Sequence, residues 1–509
     1  MKKVFVGITL GVLASLVTSS ASSHGFGERY DLPMPLNLFL VGAGATVALS
    51  FVVIAIFVKS GSAEIGYPRY NLLKMPLLGP VMSSELLVTI IRLLSVCIFL
   101  LVVATGLFGN NTPIENLSPT FVWIIFWVGM GYVSALFGNV WAMINPWKII
   151  FEWFEGLMGV QGGVMFKYPE YLDTWPAVVL FLIFGWLENV YPQAAVPLNL
   201  SGLILLYSFV TWIGMLLFGK HTWLRHGEFF SVLFGLFARF SPTEVRLNGD
   251  KGCRKCIGCN LLRAECVDCY ECFEKAGEWG VGREFNLRPY AVGLVLVSHL
   301  SISRFGFVIL TLALVTFDGL SETSLWRSVQ NTFYSSASAF GTDGLGVINT
   351  AGLIVMPLAF LGLYLGFTWA TRLLSREDSP VLLVARVFVV SLIPIALAYN
   401  LAHYIGLFLV QGQFLIPLAS DPFGQGWDIL ATSSYKIRLN LIGTKAIWYI
   451  SVIAIVLGHI VSVYVAHTLS LGRQVSRSDA LRGQYPMLLL MVIYTAISLW
   501  IIAQPIVER

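Results

Sequence analysis

Residues 83–107 read SSELLVTIIRLLSVCIFLLVVATGL, and in the 22 residues from Leu86 to Leu107 the only charged side chain is Arg92. Wound as a helix, that run rises about 33 Å, enough to cross a hydrocarbon core about 30 Å thick. It has no polar face to offer water, as a surface helix of a soluble domain must. Working outward, the same pattern recurs near 35–58, 120–143, 175–191, 198–218, 303–319, 347–371, 381–402, 446–470 and 486–505. The reading is an all-α fold, a polytopic transmembrane helix bundle of about ten spans with its outer surface against the lipid bilayer. Composition agrees, since 57% of the 509 residues are hydrophobic and 12% charged, about half the charge of an ordinary soluble chain. A net charge of +4 with no basic arm or nucleic-acid motif gives no sign of a nucleic-acid partner.

The N-terminus reads as a targeting segment. Lys2 and Lys3 precede an apolar stretch from Val4 to Val17 and a small, polar stretch from Thr18 to Ser23. This predicts a signal peptide over 1–23, with cleavage after Ser23 leaving His24 at the new terminus. Cleavage after Ala21 also fits, and the plainer alternative is an uncleaved first helix. With the mature N-terminus outside a bacterial inner (cytoplasmic) membrane, alternation places loops 59–82, 144–174, 219–302, 372–380 and 471–485 in the cytoplasm. Those loops carry Lys59, Arg69, Lys74, Lys148, Lys220, Arg225, Arg372, Arg376, Arg473, Arg477 and Arg482, whereas loops 108–119 and 192–197 carry no Lys or Arg. The bias follows the positive-inside rule. Lys436, Arg438 and Lys445, in the last large outer loop, are the exception.

Four regions follow: signal peptide 1–23, membrane helices within 24–240, a polar insert at 241–288, and membrane helices within 289–509. Glu228 to Phe240 (EFFSVLFGLFARF) is apolar but too short to span, and reads as an interfacial or re-entrant segment. Were it to cross, the insert would face outward.

The insert holds six of the seven cysteines: Cys253, Cys256, Cys259, Cys266, Cys269 and Cys272. Thiolates at i, i+3 and i+6 can converge on one soft metal centre, and packing alone gives no reason for that rhythm. In the cytoplasm thiols stay reduced, so a disulfide framework is disfavoured. The first half, C-x2-C-x2-C, is similar to the start of the bacterial ferredoxin run that ligates an iron–sulfur cluster. It departs from that run after Cys259, where six residues precede the next cysteine and no proline follows Cys272. Structural Zn held by two C-x2-C knuckles is the second chemistry, and transient binding of a soft ion such as Cu(I) the third. Cys97, inside the second span, reads as a small core hydrophobe.

Histidine is scarce, with seven in the chain. His403 and His459 form the best available pair for an intramembrane site or a haem b. Their depths match poorly, and a hydrogen-bonded core or pathway histidine is the plainer reading. Glu188 and Asp318, toward the outer ends of their spans, are candidates for an ion or proton path, against the simpler role of interfacial polar caps. A new amino-terminal His24 would chelate external copper through its amine and imidazole. Asn145-Pro146 reads as a helix stop. Walker, nucleophile-elbow and Rossmann patterns are absent from the sequence.

From HGFGERYDLP at 24–33, through GNVWAMINPW at 138–147, to QYPM at 484–487 and AQPIV at 503–507, the chain resembles a group of bacterial multi-span inner-membrane proteins. The resemblance covers nearly the whole mature chain and implies a polytopic fold. It carries no established activity or catalytic residue with it.

These features lead to a membrane protein with a cytoplasmic metal centre, iron–sulfur first, passing electrons from a cytoplasmic electron donor to a membrane-embedded or external acceptor. The competing reading is an ion-coupled transporter of a small solute or metal, with zinc as a structural staple in the insert. A third is an assembly factor that handles metal for an envelope enzyme.

Overall fold

Ten helices among the described residues are long and apolar enough to cross a membrane. The computed structural model describes residues 32, 34–59, 66–159, 164–247, 267–297, 299–340, 343–473 and 476–507. His24, the signal segment, and Cys253, Cys256, Cys259 and Cys266 lie outside them.

In chain order, the first half comprises α1 (Leu36–Phe57), strand β1 (Tyr70–Asn71), α2 (Glu85–Phe108), α3 (Leu117–Phe137), α4 (Pro146–Met158), α5 (Trp175–Asn189) and α6 (Pro197–Phe218). The short helices α7 (Lys220–His226) and α8 (Phe229–Ala238) follow, then β2 (Thr243–Leu247), α9 (Tyr270–Lys275) and β3 (Arg283–Leu287). The second half is α10 (Ile302–Ser321), α11 (Ser324–Ala337), α12 (Gly344–Ser375), α13 (Val381–Ser420), α14 (Thr444–Leu471) and α15 (Arg477–Val507). The helix α10 lies centrally, with 72% of its apolar window buried, whereas α2 (17%) and α12 (11%) present most of theirs outward. Cys97, on α2, is exposed on that lipid-facing surface; the expected core role is corrected, because a peripheral span has more lipid-facing than core-facing positions.

The loops expected on one face meet there. Tyr67 bonds Glu244, Lys148 pairs with Glu274, and Arg225 with Glu271. Arg473 pairs with Glu377, and Arg477 donates to the Ala55 carbonyl. We call this the Cys face. On the opposite face the Asn110 amide donates to the Phe423 carbonyl, and the Leu198 amide to Asn111.

Strands β2 and β3 of the insert join β1, from the loop before α2, in a three-stranded antiparallel sheet, ordered β1–β3–β2, that the apolar pattern did not announce. Thr243 pairs with Leu287 and Leu247 with Arg283. Beside the sheet, Leu247, Cys272 and Ala276 form a small core with Trp279 and Val281. The Glu244 carboxylate is fully buried and accepts from Tyr67 (2.7 Å), Asn286 (3.1 Å) and Arg288 (3.1 Å). Arg288 also reaches Asp268 at 3.0 Å. Burial pushes the Glu244 carboxyl up, but bonds from Tyr67 and Asn286 and the charges of Arg288 and Arg246 outweigh it and hold it below the usual value. A carboxyl lowered on folding stabilises the fold above its unfolded value and stops doing so as pH falls through its folded value. Glu244→Ala is therefore expected to cost about 3–5 kcal/mol, because it takes from Arg288, Asn286 and Tyr67 the buried carboxylate they share. Unfolding measured at neutral and acid pH should show the deficit shrinking as pH falls below the ordinary carboxylate value; a deficit constant with pH would contradict this account.

Candidate functional site

Two segments dip from the Cys face into the bundle and return. The first leaves α3 at Gly138, whose φ of 107° and close approach to Thr243 (an added Cβ would lie 2.1 Å from its Oγ1) admit no larger residue. It descends to Asn145 and climbs back as α4. Asn145 caps α4, its Oδ1 accepting from the Lys148 amide at 3.1 Å, and Pro146 takes the first helical position, where its missing N–H costs nothing. Asn145 does stop a helix, the short turn Trp141–Ile144 rather than the third span itself, and the same Asn-Pro starts a half-helix.

The second dip is α7 followed by α8. Its packing needs small residues, since an added Cβ at Gly214 would lie 2.2 Å from the Trp223 indole. The helix α8 has ten residues, about 15 Å, too short to cross. It neither crosses nor lies at the interface, because Phe229, Phe230, Leu233, Phe234 and Phe237 are all buried in the main core. Glu228 caps it, accepting from the Phe230 amide (3.0 Å), the Ser231 amide (2.9 Å) and the Ser231 hydroxyl (2.6 Å).

The two dips meet at Glu228. Its carboxylate also accepts from Tyr207 Oη (2.5 Å), Trp141 Nε1 (3.3 Å) and Asn145 Nδ2 (3.3 Å). Six donors thus surround one fully buried carboxylate, the partner set of a charge-assisted network. The N-terminus of α8 gives its first free amides, Phe230 and Ser231, to this carboxylate, and α4 reaches it through its cap, Asn145. Tyr207 is the eleventh of the 22 residues of α6, so the backbone that carries this partner lies about 16 Å from either end of that span, near its middle. Sequence reasoning passed over Glu228 as the edge of a short apolar run. The available signal was a carboxylate placed directly before an apolar helix too short to span.

On one side of Glu228 lies an apolar cavity of about 570 Å³ between α2, α3, α5 and α6. Ten of its 28 lining residues are aromatic, against 14% of the chain. Leu94, Ile183 and Leu206, on its rim, are exposed on the lipid-facing surface, so it opens laterally. Its inner wall carries Tyr207, Trp141 and Trp147.

On the other side, two adjoining hollows of about 140 and 180 Å³ form a polar vestibule. Asn139, Arg225, Asp268 and Tyr270 line both, and Ser231 forms part of each wall. One reaches Asn145, Lys148, His221 and Cys269. Burial pushes His221 down to about 4; Glu271 opposes this, while Lys275, Lys148 and Lys220 reinforce it. Burial likewise raises the Asp268 carboxyl, against the pull of Arg288 and Arg239. Cys269 stands immediately before α9 and Cys272 within its first turn, three residues apart and so on neighbouring positions of one helical face. Among the described residues no three His, Cys, Asp or Glu side chains gather as a metal site; four of the six cysteines lie outside that set.

Toward the opposite face, the structure brings together three residues singled out by sequence. His403 Nε2 lies 2.9 Å from Asp318 Oδ2, and Tyr404 Oη reaches both Asp318 (2.5 Å) and Glu188 (3.1 Å). Trp127, aimed by a π-helical stretch over Thr120–Val128, donates to Glu188 at 2.6 Å. One phenol proton serves one carboxylate at a time, and the His403 ring beside Asp318 and the Trp127 indole beside Glu188 are the other partners of the pair. His459 is not part of this group. It is buried on α14, with Nδ1 2.8 Å from the Ile455 carbonyl of its own helix. Its Nε2 finds no partner among the described residues. The pairing of His403 with His459 around one cofactor is corrected: His403 turns to Asp318 and His459 to its own backbone.

Asp318→Ala removes the shared acceptor of His403 and Tyr404. It is expected to lower stability by about 3–5 kcal/mol, with Asp318→Asn recovering part of the loss because its amide oxygen still accepts. Thermal unfolding of the purified protein decides this; equal midpoints for wild type and Asp318→Ala would refute the shared-acceptor role.

Fold and site define a polytopic helical membrane protein, with ten spans among the described residues and two half-helices that meet at a mid-depth carboxylate. Compared with known protein families, curated proteins and solved structures, the chain matches none.

Proposed function

We propose that this protein transfers electrons within a bacterial inner membrane, from a cytoplasmic donor through a metal centre held by the cysteine insert to an acceptor in the bilayer. The observation that carries this reading is placement. Cys269 lines the vestibule whose other wall holds Ser231 and Asn145, and those two bond Glu228 at mid-depth. A module that served only to staple a loop has no need to sit over such a passage. Cys253, Cys256, Cys259, Cys266, Cys269 and Cys272 would hold the centre, an iron–sulfur cluster first and Zn second. A cluster would supply one-electron steps. The thiolate donor set suits either group, and the small core around Cys272 gives the insert a folded base on which to carry it.

The test is anaerobic purification followed by metal and acid-labile sulfide analysis and an absorption spectrum. Iron with sulfide, bleached by dithionite, is the expected result. Stoichiometric zinc without a chromophore would overturn the electron-transfer reading.

A second reading, ion-coupled transport, draws support from the Glu188, Asp318 and His403 group, which holds titratable side chains inside the bundle. Proton uptake by vesicles containing the purified protein, driven by an imposed solute gradient and lost in Asp318→Asn, would favour it.

A further inference from the structure

We propose that the ring-lined cavity between α2, α3, α5 and α6 binds the head group of a lipid-soluble quinone, with Tyr207 and Glu228 passing it protons from the Cys face. This deepens the electron-transfer reading and rests on it for the source of electrons.

Four observations point to that ligand class. The cavity opens to lipid past Leu94, Ile183 and Leu206, so its occupant arrives from the bilayer. Its volume of about 570 Å³ lies within the range of small-molecule sites. Its walls are rich in aromatic rings, which favour a flat ring by offset or edge-on packing; an acyl chain has no such need. Finally, the apolar space ends on one ionisable pole. Tyr207 lines the cavity, and its hydroxyl meets the Glu228 carboxylate at 2.5 Å.

That pole suits a ligand whose reduction consumes protons. A quinone takes two electrons and two protons, and each carbonyl becomes a hydroxyl. The electrons come singly from a one-electron reductant on the Cys face. For each proton, Tyr207 gives its phenol hydrogen to the reduced oxygen and is restored through Glu228, a carboxylate that carries an incoming proton on to the phenolate. Glu228 refills from the vestibule at Ser231, whose hydroxyl lies 2.6 Å away. Tyr207 is the catalytic residue of this step, and Glu228 its proton relay.

The experiment titrates the full-length purified protein with a short-tailed benzoquinone by calorimetry, then measures quinone reduction by the dithionite-reduced, dialysed protein. Saturable binding is expected in the wild type. Leu203→Trp and, on the facing wall, Ile98→Trp fill the cavity and should each weaken binding by about 100-fold. Tyr207→Phe should bind within about threefold of wild type while reduction slows about 100-fold and loses its pH dependence. A wild type without saturable binding, or cavity-filling variants that bind normally, would overturn the site. So would complete displacement of the quinone by phospholipid alone, which would make the cavity an acyl-chain site. Tyr207→Phe reducing quinone at the wild-type rate would overturn the proton route. The metal content of the same sample separates the two ideas. A reducible centre without quinone binding sinks only this proposal, whereas quinone binding without a redox-active centre sinks only the electron-transfer reading.

Discussion

Glu228→Gln should destabilise the protein by about 3–5 kcal/mol despite its near-identical shape. The carboxylate accepts six hydrogen bonds, two at Oε1 and four at Oε2. An amide keeps one acceptor atom and turns two N–H groups toward the remaining donors. If its oxygen takes the Oε1 place, the Ser231 amide, Trp141 Nε1 and Asn145 Nδ2 confront an NH2 group. Asn145 has no easy flip, because its Oδ1 already caps α4 through the Lys148 amide. Bonds to a charged acceptor contribute about 1.5–3 kcal/mol each, so the loss of two accounts for the figure. Ser231→Ala, which removes one donor and leaves the others served, should cost about 1 kcal/mol. Thermal unfolding in detergent reads both, and the order of the two variants is the sharp part. Were Ser231→Ala the more harmful, Glu228 would not be the hub described here.

On the metal-centre proposal, replacing Cys269 and Cys272 together by serine should abolish metal binding and unfold the insert while leaving the helical bundle intact. A structural metal contributes on the order of 10 kcal/mol to a small domain, and among the described residues the insert shows a modest core of Leu247, Cys272 and Ala276 beside its sheet. The bundle owes its stability to a separate core of closely packed rings and aliphatic side chains. Metal analysis should fall to background, and limited proteolysis should cut within residues 241–288 while the membrane portion survives. Full metal content in the double variant would show that the remaining four cysteines suffice. Proteolysis spread over the whole chain would show that insert and bundle fold as one unit.

The spans were legible because each must declare itself locally: about 20 apolar residues in a row have no other use. Their shared Cys-face loops followed from the distribution of Lys and Arg. The sheet was less visible, since Tyr70–Asn71 and Arg283–Leu287 are short, polar and separated by over two hundred residues. The Glu188, Asp318 and His403 residues were individually noticeable as charge in apolar surroundings, but their convergence through Tyr404 depends on how α5, α10 and α13 pack. Glu228 was hidden for a different reason. A short apolar run has two readings, surface or core, and only the partners Tyr207, Trp141 and Asn145, drawn from elsewhere in the chain, decide between them.

The ten-residue length of α8 also bears on how the chain is made. A segment of this length cannot hold itself in hydrocarbon, where every exposed peptide group must be satisfied. During synthesis, the stretch from Lys220 to Ala238 gains a stable place only once α3, α5 and α6 stand around it. The half-helix α8 is therefore expected to settle late in biogenesis, into a scaffold already threaded through the bilayer.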